Sequence, residues 1–387
     1  MPAVRPWTAN ANAAVNVLAL SGGVLYAGGN FTTLAGQPRN NIAAVNATDG
    51  ALAAWNGNMN DRVWALAVSG GAAYAGGDFI TVNNVPRSRL AAINAAGTVT
   101  SWDPNPSDPS YTNIVCLAID GTTVYVGGSF STIGGASRID LAAVSTVDGS
   151  ATSFNPAPNN SVYAIAVSGG TVYAGGSFSS IGGAARSNVA ALVPTTGTAT
   201  SWNPQASSTV RVLAVNSGMV YAAGDFTSIG GQTRSGLAVL SSTTGLAATW
   251  NPAPNMWVKS LAVGNGVVYV GGYFTSIGGQ SRNYLAAIDA SLGTATSWNP
   301  GANMAVMSVA LNGSTLYAGG MFTFIGGASR DRLAALETGS GNATSWNPQP
   351  DASIDVVAVN GSRVLAAGSF TSIAGDSHHG YFARLTQ

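Results

Sequence analysis

One string returns along the whole chain. An aromatic residue followed by x-Gly-Gly, or by Ala-Ala-Gly in the copy at Tyr221, marks copies that begin at Tyr26, Tyr74, Tyr125, Tyr173, Tyr221, Tyr269, Tyr317 and, in altered form, Leu365, every step being 48 residues except that from Tyr74 to Tyr125. A Phe follows five residues later in each copy, from Phe31 to Phe370. A third marker, the aromatic residue that opens Trp-Asn-Pro or its variants, falls at Trp7, Trp55, Trp102, Phe154, Trp202, Trp250, Trp298 and Trp346. A fixed period of this length means one supersecondary unit used repeatedly, each unit burying its apolar face against the next.

Within a unit four short apolar runs alternate with Gly, Asn, Ser and Thr turns: Val-x-x-Leu-Ala-Val, Val-Tyr-x-Gly-Gly-x-Phe, Leu-Ala-Ala-x-Asp and Ala-Thr-Ser-Trp-Asn-Pro. Such runs read as strands. Only 8% of residues are charged, with Lys259 the single lysine and Glu337 the single glutamate. Helix surfaces draw on those two residues, so the composition argues for an all-β chain. Four strands in a unit of about 40 to 50 residues is the pattern of a propeller blade. The eight copies therefore predict one eight-bladed β-propeller of four-stranded blades spanning residues 1–387. The N-terminal segment 4–10 matches a fourth strand and is expected to complete the last blade, formed by 352–387, removing exposed strand edges.

Zero formal net charge and the absence of a basic run exclude the phosphate-neutralising surface of a nucleic-acid binder. No apolar run approaches a membrane span, so no membrane insertion is expected, and the first residues lack the apolar core of a signal peptide. Cys116, the only cysteine, has no intrachain partner and reads as a small buried hydrophobe. As an isolated domain the protein is expected to be a monomer.

The unit from Tyr269 to Asp289, followed by Trp298-Asn299-Pro300, resembles the bacterial delta-60 type of β-propeller repeat. That resemblance covers nearly the whole chain and implies a secreted or cell-surface location more firmly than any activity. The Gly-Gly and Trp spacing is more distantly similar to kelch repeats. Asp289, Gly293 and Trp298 partly resemble the tryptophan-docking motif of quinoprotein dehydrogenases, with one extra residue before the Trp and several copies lacking the Asp. Only a blade-docking role for the Trp carries over; the cofactor chemistry does not, and no cofactor is expected.

Arg39, Arg87, Arg138, Arg186, Arg234, Arg282 and Arg330 share one repeat position. An anion-binding ring and structural mortar are both conceivable there, and a residue repeated in every unit is better explained as mortar that donates to carbonyls and stacks on Trp. The repeated Trp reads likewise as a wedge between blades, rather than as a sugar platform. Function belongs where copies differ. The most variable position, on the first turn of the innermost strand, holds Asn16, Trp64, Val115, Tyr163, Arg211, Lys259, Met307 and Asp355. Such a ring at a channel mouth suits a small polar ligand or a protruding chain end, the alternative being solvated rim variation. The Pro-rich insertion at 103–113 is expected on the same face.

Asp103 and Asp108 fit no calcium loop, and the adjacent His378 and His379 make a poor metal site, so no metal is expected. No nucleophile, base and acid arrangement is legible, so no catalytic residue is assigned. Two functions remain: an extracellular module binding a glycan, peptide or protein at the channel mouth, or a structural spacer of a larger surface protein.

Overall fold

Glycine and small polar residues interrupt the apolar runs so often that only strands and tight turns can form between them. The computed structural model describes residues 10–108, 110–264, 266–361, 363–375 and 381–386, and contains no helix among them. Eight three-stranded antiparallel sheets follow one another in chain order. We number them 1 to 8 by their first strands: Val15–Ser21, Val63–Ser69, Asn113–Asp120, Val162–Ser168, Val210–Asn216, Val258–Gly264, Val306–Asn312 and Ile354–Asn360. In each sheet the second strand is central, as in sheet 5, where Met219–Gly224 pairs with both Val210–Asn216 and Leu237–Ser241. A short ribbon, in sheet 5 Ser228–Ile229 with Gln232–Thr233, projects between the second and third strands.

The fourth apolar run does not form a ladder strand, which corrects the expected four-stranded blade. It touches the third strand through a single bridge, such as Leu240 with Ala247 or Ile288 with Ala295, and then departs. Two features of the run force this. The Trp that follows has to cross onto the next sheet, and the Pro after it has no N–H to give to a ladder. Residues 4–9 of the N-terminal segment, Trp7 among them, and the pair His378 and His379 lie outside the described residues.

The apolar core lies between sheets. Tyr173 and Trp202 from the sheet 4 repeat pack on Val210, Val220 and Phe226 of sheet 5, and equivalent clusters join the other neighbours. Leu365, Ala367 and Phe382 of sheet 8 share a cluster with Ala27, Phe31 and Val45 of sheet 1. The Trp is the wedge at each junction. Trp202 is buried, stands edge-on to Tyr173 with ring centroids 5.3 Å apart, and donates its indole N–H to the carbonyl of Ser241 at 2.8 Å. Trp55, Trp102, Trp250 and Trp298 make the same bond to Asn94, Ser145, Asp289 and Glu337. Phe154 keeps the edge-on contact with Tyr125 but has no N–H to donate. Trp346 is buried against Tyr317 in the same way.

The repeated Arg pins the ribbon to the tail that precedes the Trp. Each of the seven donates one guanidinium nitrogen to the carbonyl just before it and another, at 2.5–3.1 Å, to the carbonyl of Ala53, Thr100, Thr152, Thr200, Ala248, Thr296 or Thr344. Burial lowers the pKa of Arg39 and Arg234. Their positions and carbonyl partners give these side chains a structural job. Among the described cation–π contacts none joins them to the repeated Trp.

Replacing Trp202 by Ala should cost about 3–5 kcal/mol, as for other buried aromatics. Trp202→Phe should cost about 1–3 kcal/mol, because it leaves the Ser241 carbonyl without its donor while keeping most of the shape. Denaturant unfolding of the two variants checks the order; a Trp202→Phe variant as stable as the original would show that the indole bond contributes nothing.

Candidate functional site

The variable position lands on one structural device in every sheet. Each first strand shifts register once, between Val15 and Val17, Val63 and Ala65, Ile114 and Cys116, Val162 and Ala164, Val210 and Val212, Val258 and Ser260, Val306 and Ser308, or Ile354 and Val356. The residue left over in each bulge is Asn16, Trp64, Val115, Tyr163, Arg211, Lys259, Met307 or Asp355. A bulge frees one side chain from the ladder and re-aims it. Trp64, Tyr163, Arg211, Lys259 and Asp355 are exposed; Asn16, Val115 and Met307 are half-buried. First strands lie side by side through sheets 1 to 5 and again through sheets 6 to 8, so the bulges share one end of the inner wall.

The two glycines of the repeat serve different contacts. A Cβ on the second one, for example Gly176 or Gly224, would overlap the backbone carbonyl just ahead of the bulge, Ser161 or Thr209. The bulge therefore needs that glycine. A Cβ on the first would strike the next sheet: from Gly28 the nearest Val63 atom is 2.6 Å away, from Gly175 the nearest Val210 atom 2.8 Å, and from Gly319 the nearest Ile354 atom 2.5 Å. That glycine sets how closely neighbouring sheets approach.

Sheet 5 breaks the rule. Its second strand reads Tyr221-Ala222-Ala223-Gly224, so a methyl group stands where the first glycine belongs. The first strands of sheets 5 and 6 do not lie side by side as their equivalents do. Val258 stays half-buried, whereas Val63, Ile114, Val162, Val210, Val306 and Ile354 in the same role are 0% exposed. Sheet 8 carries the same substitution at Ala367, and there too the first strands of sheets 8 and 1 lack the close approach, although Val15 remains buried.

A second omission widens the seam. Just before each third strand sits a residue with positive φ, and in several sheets its side chain ties the next loop: Asn41 to the Met59 carbonyl, Asn188 to Ala206 and Arg332 to Pro350. In sheet 5 this residue is Gly236, which has no side chain to reach across. Two contiguous clefts of about 220 and 280 Å³ occupy the seam. Arg211, Asp225, Trp257 and Lys259 line the inner one; Gly236, Pro254 and Trp257 border the outer.

Bulge residues meet the residue fourteen positions later, directly after the Gly-Gly pair. Asn16 donates to the Asn30 side chain at 2.9 Å, and the Trp64 indole donates to Asp78 at 2.9 Å. Arg211 engages Asp225 through Nε at 3.0 Å and Nη2 at 2.6 Å, with its guanidinium 5.9 Å from the Tyr163 ring centre. Lys259 sits 5.8 Å from the ring centre of Tyr273. Sequence reading overlooked this second variable ring, as it did Trp257, Ala223 and Gly236. The signal was present: these positions also depart from the repeat.

Asp355 remains exposed as a residue, yet the wall around it displaces water, and burial pushes its carboxyl above the usual range, partly opposed by a hydrogen bond from Ser353. In the insertion, Asp108 accepts backbone N–H groups of Ser110 and Tyr111, and Asp103 faces Arg87 at 3.6 Å. The insertion runs into the bulge end of sheet 3. No group of three or more metal-ligating side chains occurs among the described residues. Burial also pushes the Cys116 thiol up to about 12, which keeps it protonated and unreactive at neutral pH.

Ala223→Gly should let sheets 5 and 6 close, slowing hydrogen exchange across 256–260. Gly175→Ala should do the reverse at the tight seam between sheets 4 and 5 and destabilise by about 1–3 kcal/mol. Unchanged exchange in the first variant would refute the methyl as the cause. A carboxyl raised by folding favours the folded state while protonated, and that contribution is lost as pH rises through its folded pKa. Asp355→Asn should therefore raise Tm at pH 7 and lose that advantage once pH falls below the ordinary carboxylate range.

Comparison with known proteins places this geometry. Residues 264–290, within sheet 6, match the family model described as Domain of unknown function (DUF5122) beta-propeller. Curated protein sequences give no match. The chain is similar to the crystal structure of the computationally designed Ika8 protein, with TM-score 0.65, 13% identity and 98% of each chain covered. It is also similar to BamB from Moraxella catarrhalis, with TM-score 0.55, 14% identity, and 100% of this chain and 96% of that one covered. At such identities the likeness speaks for the fold, and with the repeated sheets it establishes that the chain is a β-propeller repeat protein.

Proposed function

We propose that this protein is a non-enzymatic binding module of the bacterial exterior, secreted or held at the cell surface. In this reading it is a closed ring of eight blades that takes a glycan, peptide or protein ligand at the bulge end, in the seam between sheets 5 and 6. The observation that carries the reading is where variation sits. Packing positions repeat from sheet to sheet, whereas the bulges and their partners differ, and the seam opens where two packing rules fail together.

Closure of the ring is supported by the cluster that joins sheets 8 and 1. Ala11 bridges to Leu34 as Met59 bridges to Val82, so the chain enters sheet 1 as it enters sheet 2. The exterior location rests on family resemblance, and no helix among the described residues is long and apolar enough to cross a membrane. Two of the carboxylates at the bulge end are committed to ion pairs. Asp78 is taken up by Arg62 at 3.0 Å and Arg89 at 3.9 Å, and Asp225 by Arg211. The reading needs no cofactor or metal.

Glycan and peptide arrays probed with the protein and with the double variant Arg211→Ala/Trp257→Ala test this. Binding by the original that falls at least tenfold in a variant with unchanged Tm supports the seam. Binding equal in both overturns the seam as the site, and binding absent in both overturns the reading and favours a structural spacer.

A further inference from the structure

Two tryptophans stand at the bulge end, and their surroundings differ. Trp64 is satisfied from within: its indole N–H donates to Asp78, and Arg62 covers its ring at 5.1 Å. Trp257 is 57% exposed, and among the described residues its N–H has no acceptor. Tyr273 meets it in a T-shaped contact at 6.1 Å and 85°, and more than half of the indole surface stays open to solvent. Beside it Lys259, the only lysine, has no carboxylate within ion-pair distance among the described residues. Across the cleft the Arg211–Asp225 pair, with side chains 57% and 27% exposed, presents donors and acceptors along one edge.

From these three elements we infer that the seam between sheets 5 and 6 binds an acidic saccharide, a pyranose bearing a carboxylate. This rests on the binding-module reading and names the ligand class of that site. The open indole face receives the C–H face of a sugar ring, an apolar contact that tolerates hydroxyls at its rim. The Arg–Asp edge supplies both a donor and an acceptor, which is what neighbouring hydroxyls require. The unpaired ammonium supplies the countercharge for the carboxylate through a charge-assisted hydrogen bond. A neutral sugar would leave that ammonium unanswered, and an aliphatic anion would leave the indole bare.

Isothermal titration with galacturonate and alginate oligomers, against neutral galactan and glucan oligomers of equal length, provides the test. The original protein should prefer the uronates by about tenfold or more, the factor that one charge-assisted hydrogen bond of about 1.5–3 kcal/mol supplies. Lys259→Met should erase the preference while keeping neutral-sugar affinity, and Trp257→Ala should remove both, each with unchanged Tm. Equal affinity for acidic and neutral oligomers, or a preference that survives Lys259→Met, would overturn the inference and leave the binding site standing. Seam-dependent binding of peptides alone would overturn it in the same way. No seam-dependent ligand of any kind would fell the binding-module reading with it.

Discussion

The architecture depends on how closely backbones can approach at the Gly-Gly pair. The second glycine lets the chain before the first strand fold over the second strand, and so permits the bulge. The first lets the neighbouring sheet seat its Val or Ile against bare backbone. A single dipeptide therefore sets both the inner-wall geometry of one sheet and its distance from the next. The Trp and Arg of the repeat act on what remains: the indole spans the junction, and the guanidinium ties ribbon to tail through backbone carbonyls. Because these bonds go to main-chain atoms, they can be repeated from unit to unit whatever the neighbouring side chains are.

A scaffold with such strict packing rules reveals its site by breaking them. A methyl group at Ala223 stands where most junctions have bare glycine, beside a Val258 that is only half-buried, and at Gly236 there is no side chain to tie the next loop. Both fall at the same junction. Apolar surface that would otherwise be buried there becomes the wall of a cleft, at a stability cost spread over an otherwise tightly packed molecule. Around the cleft Arg211 still pairs with Asp225, but Lys259 and Trp257 keep unused polar groups. At sheet 2, by contrast, Trp64, Arg62, Arg89 and Asp78 form a closed network with nothing left to offer. Variable composition marks candidate sites, and unsatisfied chemistry separates those that can take a ligand.

The repeat period, the turn residues and the scarcity of Lys and Glu were enough to read an all-β propeller and to pick out the variable inner position, since these depend on local pattern. Asn16, Trp64, Tyr163, Arg211, Lys259, Met307 and Asp355 all lie in bulges, though nothing in the sequence announced a bulge. The fourth strand was over-read. Its alternation looks like a strand, but Trp has to leave the edge to wedge the next sheet and Pro cannot pair, and both demands come from neighbours. Which of the variable residues meet was also invisible, because Arg211 with Asp225 and Trp257 with Tyr273 are brought together by pairing of the first strand with the end of the second.

By itself the sequence determined the unit, its period and its turn residues, because those constraints act within one repeat. The tertiary structure alone decided where a junction fails. The separation of sheets 5 and 6 depends on whether a methyl group on one sheet faces a valine on the next, and that contact exists only once both have folded.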